Sequence, residues 1–250
     1  MNAETALFFR NALRQARASV LKDAEAYEKI IHVFEGVGRY LCRNAGGLGS
    51  YEGAIKAVAC LSPLARDVPS RWRELHMPFD RLFKSVQEGR NAAMHEGAFA
   101  RHLATHSIRL ALILEDALMN DSDRVGDWMV SNPVCAELWH PLSFVRQMIL
   151  EGSFSFLPVK SPDAKWRLIS DLEIAKYLRG SETPGGRKAR LVQSLADAEK
   201  PGGIKLQTPT CCKPTDSVAD VLKGWDGTPI LVVRENGNEL LGIVTAFDLV

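Results

Sequence analysis

Arg90, Asn91 and His95 fall within one short stretch, Gly89-Arg90-Asn91-Ala92-Ala93-Met94-His95-Glu96. Their types suit chemistry on a phosphate. Arginine supplies a permanent planar cation, histidine exchanges protons near neutral pH, and asparagine can orient either one. Cleavage of RNA by its own 2′-hydroxyl, leaving a 2′,3′-cyclic phosphate and a 5′-hydroxyl, needs a base, an acid and a cation for the phosphorane. One chain offers only one histidine in this stretch.

A second pattern lies near the C-terminus, where Gly242-Ile243-Val244-Thr245-Ala246-Phe247-Asp248 places an acid one helical turn beyond a hydroxyl. An acid so placed at a helix start can accept from both ribose hydroxyls, while the hydroxyl and the helix N-terminus hold a phosphate. Gly242 would let the backbone approach such a ligand. The counterpart Arg167-Leu168-Ile169-Ser170-Asp171-Leu172-Glu173 keeps the hydroxyl, with Arg167 in the glycine position and the longer Glu173 in place of aspartate. Thr245 with Asp248 is the expected nucleotide site. The Ser170 and Glu173 site is expected to be empty, to bind differently, or to be closed by an ion pair. The bland alternative is that Thr245 and Asp248 simply cap the last helix.

The elements that must position these residues change character along the chain. Helical spacing predicts helices over about 4–43, 52–61, 70–88 and 98–120, placing the Arg90 stretch at the entry to the last. Between about 120 and 126 the pattern turns to short apolar runs broken by turns, which puts a domain boundary at Asn120-Asp121-Ser122-Asp123. The expected domains are 1–122 and 123–250. The second holds an internal repeat, with units over about 123–180 and 190–250. One unit runs through Asn132-Pro133-Val134, a helix near 141–151, Phe156–Val159 and 167–173. The other runs through Thr208-Pro209-Thr210, a helix near 216–224, 228–233 and 242–248. Each reads strand, helix, strand, strand, helix.

The first half resembles the HEPN ribonucleases, which carry an Arg-polar-x3-His motif on an all-helical bundle. The resemblance implies a metal-independent endoribonuclease whose active site forms where a twofold homodimer apposes two motifs. Arg90, Asn91 and His95 would then be catalytic. The second half resembles a tandem pair of CBS motifs, implying an α/β fold and an adenine nucleotide (AMP, ADP, ATP or a related adenosyl ligand) as regulator at Gly242, Thr245, Asp248, Ser170 and Glu173. The combination looks like a bacterial stress-response or antiviral protein. The rival expectation is a non-catalytic nucleotide sensor, whose helical half dimerises or holds a partner while Arg90 and His95 are structural.

In a helix that already includes residue 95, His95, His102, His106 and Arg109 share one stripe. The readings are a solvated or interface stripe, contact with RNA through His102, His106 and Arg109, or a metal pair at His102 and His106. The segment Ile108–Met119 is apolar around nearly its whole circumference, which suits either a dimer or a central helix in a monomeric bundle. Ser70-Arg71-Trp72-Arg73-Glu74 is expected to cap and pair along a helix surface.

Composition bounds the partners. Formal net charge is +1 and 46% of residues are hydrophobic, so the chain can bury a substantial core and carries no global basic field. Contact with RNA must therefore be local. The five cysteines show no CxxC spacing, which argues against disulfides and structural zinc. Cys211 and Cys212 are a redox pair or buried strand residues. No apolar run approaches the roughly 18 residues of a membrane span and no signal pattern opens the chain, so a cytoplasmic protein without membrane contact is expected. The loop-like stretch 180–203, with a short helix inside it, offers Arg187, Lys188 and Arg190 as a basic flap over the nucleotide or as a solvated linker.

Overall fold

The computed structural model describes residues 1–93, 100–161, 165–179, 184–235, 237 and 239–250. The chain divides into two compact units, Met1–Ser122 and Asp123–Val250. The first is helical: α1 (Ala3–Lys22), α2 (Tyr27–Cys42), α3 (Glu52–Ala59), α4 (Asp67–Arg71), α5 (Phe79–Ala93) and α6 (Ala100–Met119).

Two helices expected as continuous are broken, each for a local reason. The span 4–43 divides at Asp23, which takes an extended conformation and accepts the Glu25 amide on its carboxylate at 3.0 Å, opening a 3-10 turn over Ala24–Ala26. The span 70–88 divides because α4 stops at Arg71 and α5 starts only after Pro78. Proline lacks an amide hydrogen and disfavours helical torsions in the residue before it, here Met77. Ser70 turns its hydroxyl back onto the Asp67 carbonyl at 2.7 Å and so does not cap a longer helix. Gly89–Ala93 belong to α5, where the sequence suggested the entry to the following helix. Met94, His95 and the rest of 94–99 lie outside the described residues.

The apolar stripes follow helical spacing. Phe9, Leu13, Ala16 and Val20 bury one face of α1, and Phe79, Leu82, Phe83 and Val86 one face of α5. Helix α6 is the hub, packing on α1, α2, α3 and α5. Its all-round apolarity is thus covered within its own unit, and among its described residues Leu112 is the large hydrophobic left exposed, at 40%. That helix therefore gives no ground for a dimer. Glu115, buried on α6, receives Arg17 of α1 in a two-pronged pair at 3.1 and 3.1 Å. Gly38 of α2 must be glycine, because a Cβ there would sit 2.3 Å from the ring of the fully buried Tyr51.

The second unit contains α7 (Val125–Trp128), β1 (Val130–Ser131), β2 (Ala136–Glu137), α8 (Leu142–Gly152), β3 (Phe156–Lys160), β4 (Trp166–Ser170), α9 (Asp171–Arg179), α10 (Pro184–Val192) and α11 (Leu195–Ala198). It continues through β5 (Cys211–Cys212), α12 (Val218–Val221), β6 (Ile230–Val233), β7 (Leu240–Val244) and a 3-10 turn over Ala246–Asp248. The repeat is visible in the pairing. Strand β2 runs parallel to β3, which is antiparallel to β4; β5 runs parallel to β6, which is antiparallel to β7. Both central strands are buried almost throughout, so they read as continuous apolar runs without alternation.

Each repeat also lends a short segment to the other's sheet. The chain leading into the first repeat forms β1 and pairs with β7, while Gln207, leading into the second, bridges Leu168 of β4. This exchange corrects the expected strand at Asn132–Val134: Asn132 adopts a left-handed φ of 51°, and the first repeat's own strand begins only at Ala136. Leu168, Leu231 and Ile243 pack together where the two sheets meet. The helix expected near 216–224 shrinks to the single turn of α12, and the loop-like stretch after 183 holds both α10 and α11.

Candidate functional site

In each repeat the chain leaves its last strand and turns a helical corner, and both hydroxyl-acid pairs sit at those corners. Ser170, 4% exposed, closes β4 and accepts the Glu173 amide on its Oγ at 3.2 Å, capping α9. Thr245 does the same after β7, and the reciprocal bond completes a capping box: one oxygen of Asp248 accepts from the Thr245 amide and from its hydroxyl, each at 2.8 Å. The spacing is local. Two repeats with the same β-to-helix corner thus place the same residue types at equivalent points.

The two acids differ in what holds them. Asp248 is 5% exposed and folded back onto its own cap. Glu173 instead points to Lys176, with Oε1 2.8 Å from Nζ. That hydrogen bond, with a backbone hydrogen bond from Lys205, lowers the Glu173 pKa against the opposing effect of burial. The ion pair at this corner is therefore with Lys176. Arg167, which the sequence suggested as partner, pairs with Glu199. Lys176 and Lys205 carried no signal of their own in the sequence, because an i,i+3 Lys reads as an ordinary helix-surface pair and Lys205 lies far from Glu173 along the chain.

Gly242 has a different occupant from the one expected. A Cβ there would lie 2.5 Å from Met129 Sδ, so the missing side chain makes room for the segment that enters β1. The close approach it permits is that of the chain's own neighbouring strand.

In the helical unit, Arg90 continues the stripe of Phe79, Phe83 and Val86 at helical spacing, so its side chain faces the bundle. There Nη1 meets Glu35 Oε1 of α2 at 2.7 Å, with the arginine side chain 39% and the glutamate 18% exposed. Its charge also reaches Tyr27, whose pKa burial and Glu28 raise and Arg90 lowers. Glu35 was not recognised from sequence, since nothing local links residues 55 positions apart. Asn91 lies on α5, His95 lies outside the described residues, and Arg90 is joined to Glu35.

On α6, His102 and Arg109 are exposed and His106 is half-buried beside them. Burial first, then the charges of Arg109 and His102, lower the His106 pKa from its ordinary value. Among the described residues, the two histidines belong to no group of three or more potential metal ligands. The cysteines of β5 are thiols in a resting environment: burial, followed by Asp216 and Cys211, pushes Cys212 up to about 12, and burial also raises Cys211. Both shifts disfavour the thiolate, which favours the reading of Cys212 as a buried strand residue, with Cys211 exposed beside it. Arg190 is no flap residue. It donates to the Tyr177 carbonyl and stacks 4.7 Å from that ring, fastening α10 to α9.

No family model and no curated protein matches the chain. Solved structures similar to it include a CBS domain-containing protein from Bacillus anthracis str. Ames Ancestor, at 23% identity and TM-score 0.41, covering 51% of this chain and 90% of that one. Two others are CBSX2 in complex with AMP, at 17% identity and TM-score 0.39 over 51% and 93% of the two chains, and CbpB in complex with c-di-AMP, at 14% and 0.39 over 50% and 81%. At these scores the likeness adds nothing to the repeat topology, which stands on its own strand pairing. Among the described residues, no helix is long and apolar enough to cross a membrane.

Proposed function

We propose that Asp123–Val250 is a CBS-pair module that binds an adenine nucleotide at its repeat corners, and that Met1–Ser122 is the effector the nucleotide regulates. The observation that carries this reading is the recurrence of hydroxyl and acid at both corners of a β-α-β-β-α repeat, Ser170 with Glu173 and Thr245 with Asp248. The residue types fit a ribose and a phosphate. Entry of ribose at the second corner requires Asp248 to exchange Thr245 for the sugar hydroxyls. At the first corner Lys176 and Lys205 offer cationic and amide partners for a phosphate beside Glu173. Ligand that binds only the folded state raises the melting temperature by mass action. AMP and c-di-AMP are the first probes, then ADP and ATP; the expected result is a rise that Asp248→Ala and Glu173→Ala together reduce. An unmoved melting curve at millimolar concentrations of all four would overturn the sensor.

For the effector we propose HEPN-type, metal-independent cleavage of RNA by a homodimer, with Arg90 stabilising the phosphorane, His95 exchanging the proton and Asn91 orienting them. His102, His106 and Arg109 would extend contact to neighbouring phosphates. Glu35 then competes with the scissile phosphate for Arg90, so Glu35→Gln should tighten RNA binding. The second reading, a non-catalytic sensor, is favoured by the same ion pair, which gives Arg90 a structural role. Cleavage of single-stranded RNA in excess chelator, lost in His95→Ala at unchanged melting temperature, decides for the enzyme. Absence of cleavage, with Glu35→Gln only destabilising the fold, decides for the sensor.

A further inference from the structure

Three arginines from three helices, Arg146 of α8, Arg179 of α9 and Arg187 of α10, line one groove of about 450 Å³ in the second unit. Its floor is aliphatic, with Ile149 and Leu178 buried beneath. Among the described residues none of the three guanidiniums has a hydrogen bond or ion pair. Asp171, the carboxylate in the lining, already accepts the Leu172 amide at 2.6 Å. The groove is built. Arg190 stacked on Tyr177, and Tyr177 donating to Gln193 at 2.6 Å, hold α10 against α9 and so fix where Arg187 stands.

Arg146 is half-buried while Arg179 and Arg187 are exposed, and three cations gathered over an apolar floor repel one another, a cost that an anion of matching shape lowers. Guanidinium forks match phosphate oxygens, and the volume falls within the roughly 300–1,000 Å³ of small-molecule sites. A bare ion would leave the floor uncovered, and a wholly apolar ligand would leave the arginines uncompensated. We propose that this groove binds a small organic phosphate, its charged head on Arg146, Arg179 and Arg187 and its apolar or aromatic part on the floor formed by Ile149 and Leu178. The groove borders the first corner through Asp171 and Leu172, but Ser170, Glu173, Thr245 and Asp248 are not among the residues that line it.

The test is a fluorescence titration of the full chain with ATP carrying a methylanthraniloyl group, which brightens in an apolar environment. Arg146→Gln/Arg187→Gln is expected to weaken one saturable component at least tenfold, with Arg179→Gln doing so in a milder form and circular dichroism verifying the fold of each. Pyrophosphate should compete for that component, and rising salt should weaken it. Asp248→Ala/Glu173→Ala should leave it within twofold while removing any component due to the corners. A titration that the arginine substitutions leave unchanged overturns the proposal, as does loss of the whole signal in the corner variant, which would keep the corner site and remove this one. Absence of saturable binding at millimolar probe, or binding of an acidic peptide or anionic vesicles in place of the nucleotide, overturns it as well.

Discussion

At the scale of the residue, His106 is the group whose environment makes the clearest statement. Burial, Arg109 and His102 all disfavour its charged form, so its folded pKa lies below the ordinary 6.5. The unfolded chain then binds more protons than the folded one in the window below 6.5, and stability is lost as pH falls through it. Titration of the His106 ring protons by NMR should give a midpoint below 6.5, and Arg109→Gln should raise it by relieving one of the two repulsions. Adding a non-cleavable single-stranded RNA should raise it too if phosphates gather at this stripe, because an anion favours the imidazolium. A midpoint that RNA leaves unchanged would remove His106 from the proposed contacts.

At the scale of the element, the corner after β7 depends on one capping box. Thr245→Val keeps the shape but removes the hydroxyl that accepts the Asp248 amide and donates to its carboxylate, leaving that buried acid with a partner lost. The expected cost is about 1–3 kcal/mol, from the loss of a cap and of a hydrogen bond to a buried charged group. Urea denaturation of the wild type and the variant at pH 7 measures it. Equal midpoints would mean that the box contributes nothing to the fold and that its residues are held for another purpose. Ser170→Ala at the first corner should cost less, about 1 kcal/mol, because Glu173 keeps its bond to Lys176.

At the scale of the whole molecule, each unit has its own core. One extends from Phe9 to Leu114 within the helices, and the others lie around the sheets of the second unit. A chain that buries two separate cores folds as two cooperative units. Residues 1–122 and 123–250 expressed separately should each unfold in a single sigmoidal transition, and each should keep the secondary-structure content it has in the full chain by circular dichroism. Non-cooperative melting of either piece would show that its core needs the other.

Much of the element pattern follows from the sequence because the physics behind it is local. The stripes of α1 and α5 recur at three and four residues, the buried strands are short apolar runs, and the two hydroxyl-acid pairs form caps three residues long. The helix breaks at Asp23 and Pro78 are local as well, a capping acid and a proline inside stretches whose apolar rhythm hides them. The rest required the chain to fold back on itself. Glu35 meets Arg90 only because α2 and α5 face each other. Met129 fills the space at Gly242 only because a segment of one repeat joins the other's sheet. Arg146, Arg179 and Arg187 share a groove only because three helices pack side by side. Spacing along a chain carries contacts within a turn or a strand, where few torsions separate the partners, whereas contacts between elements depend on how whole faces are buried together, and that is decided in the tertiary structure.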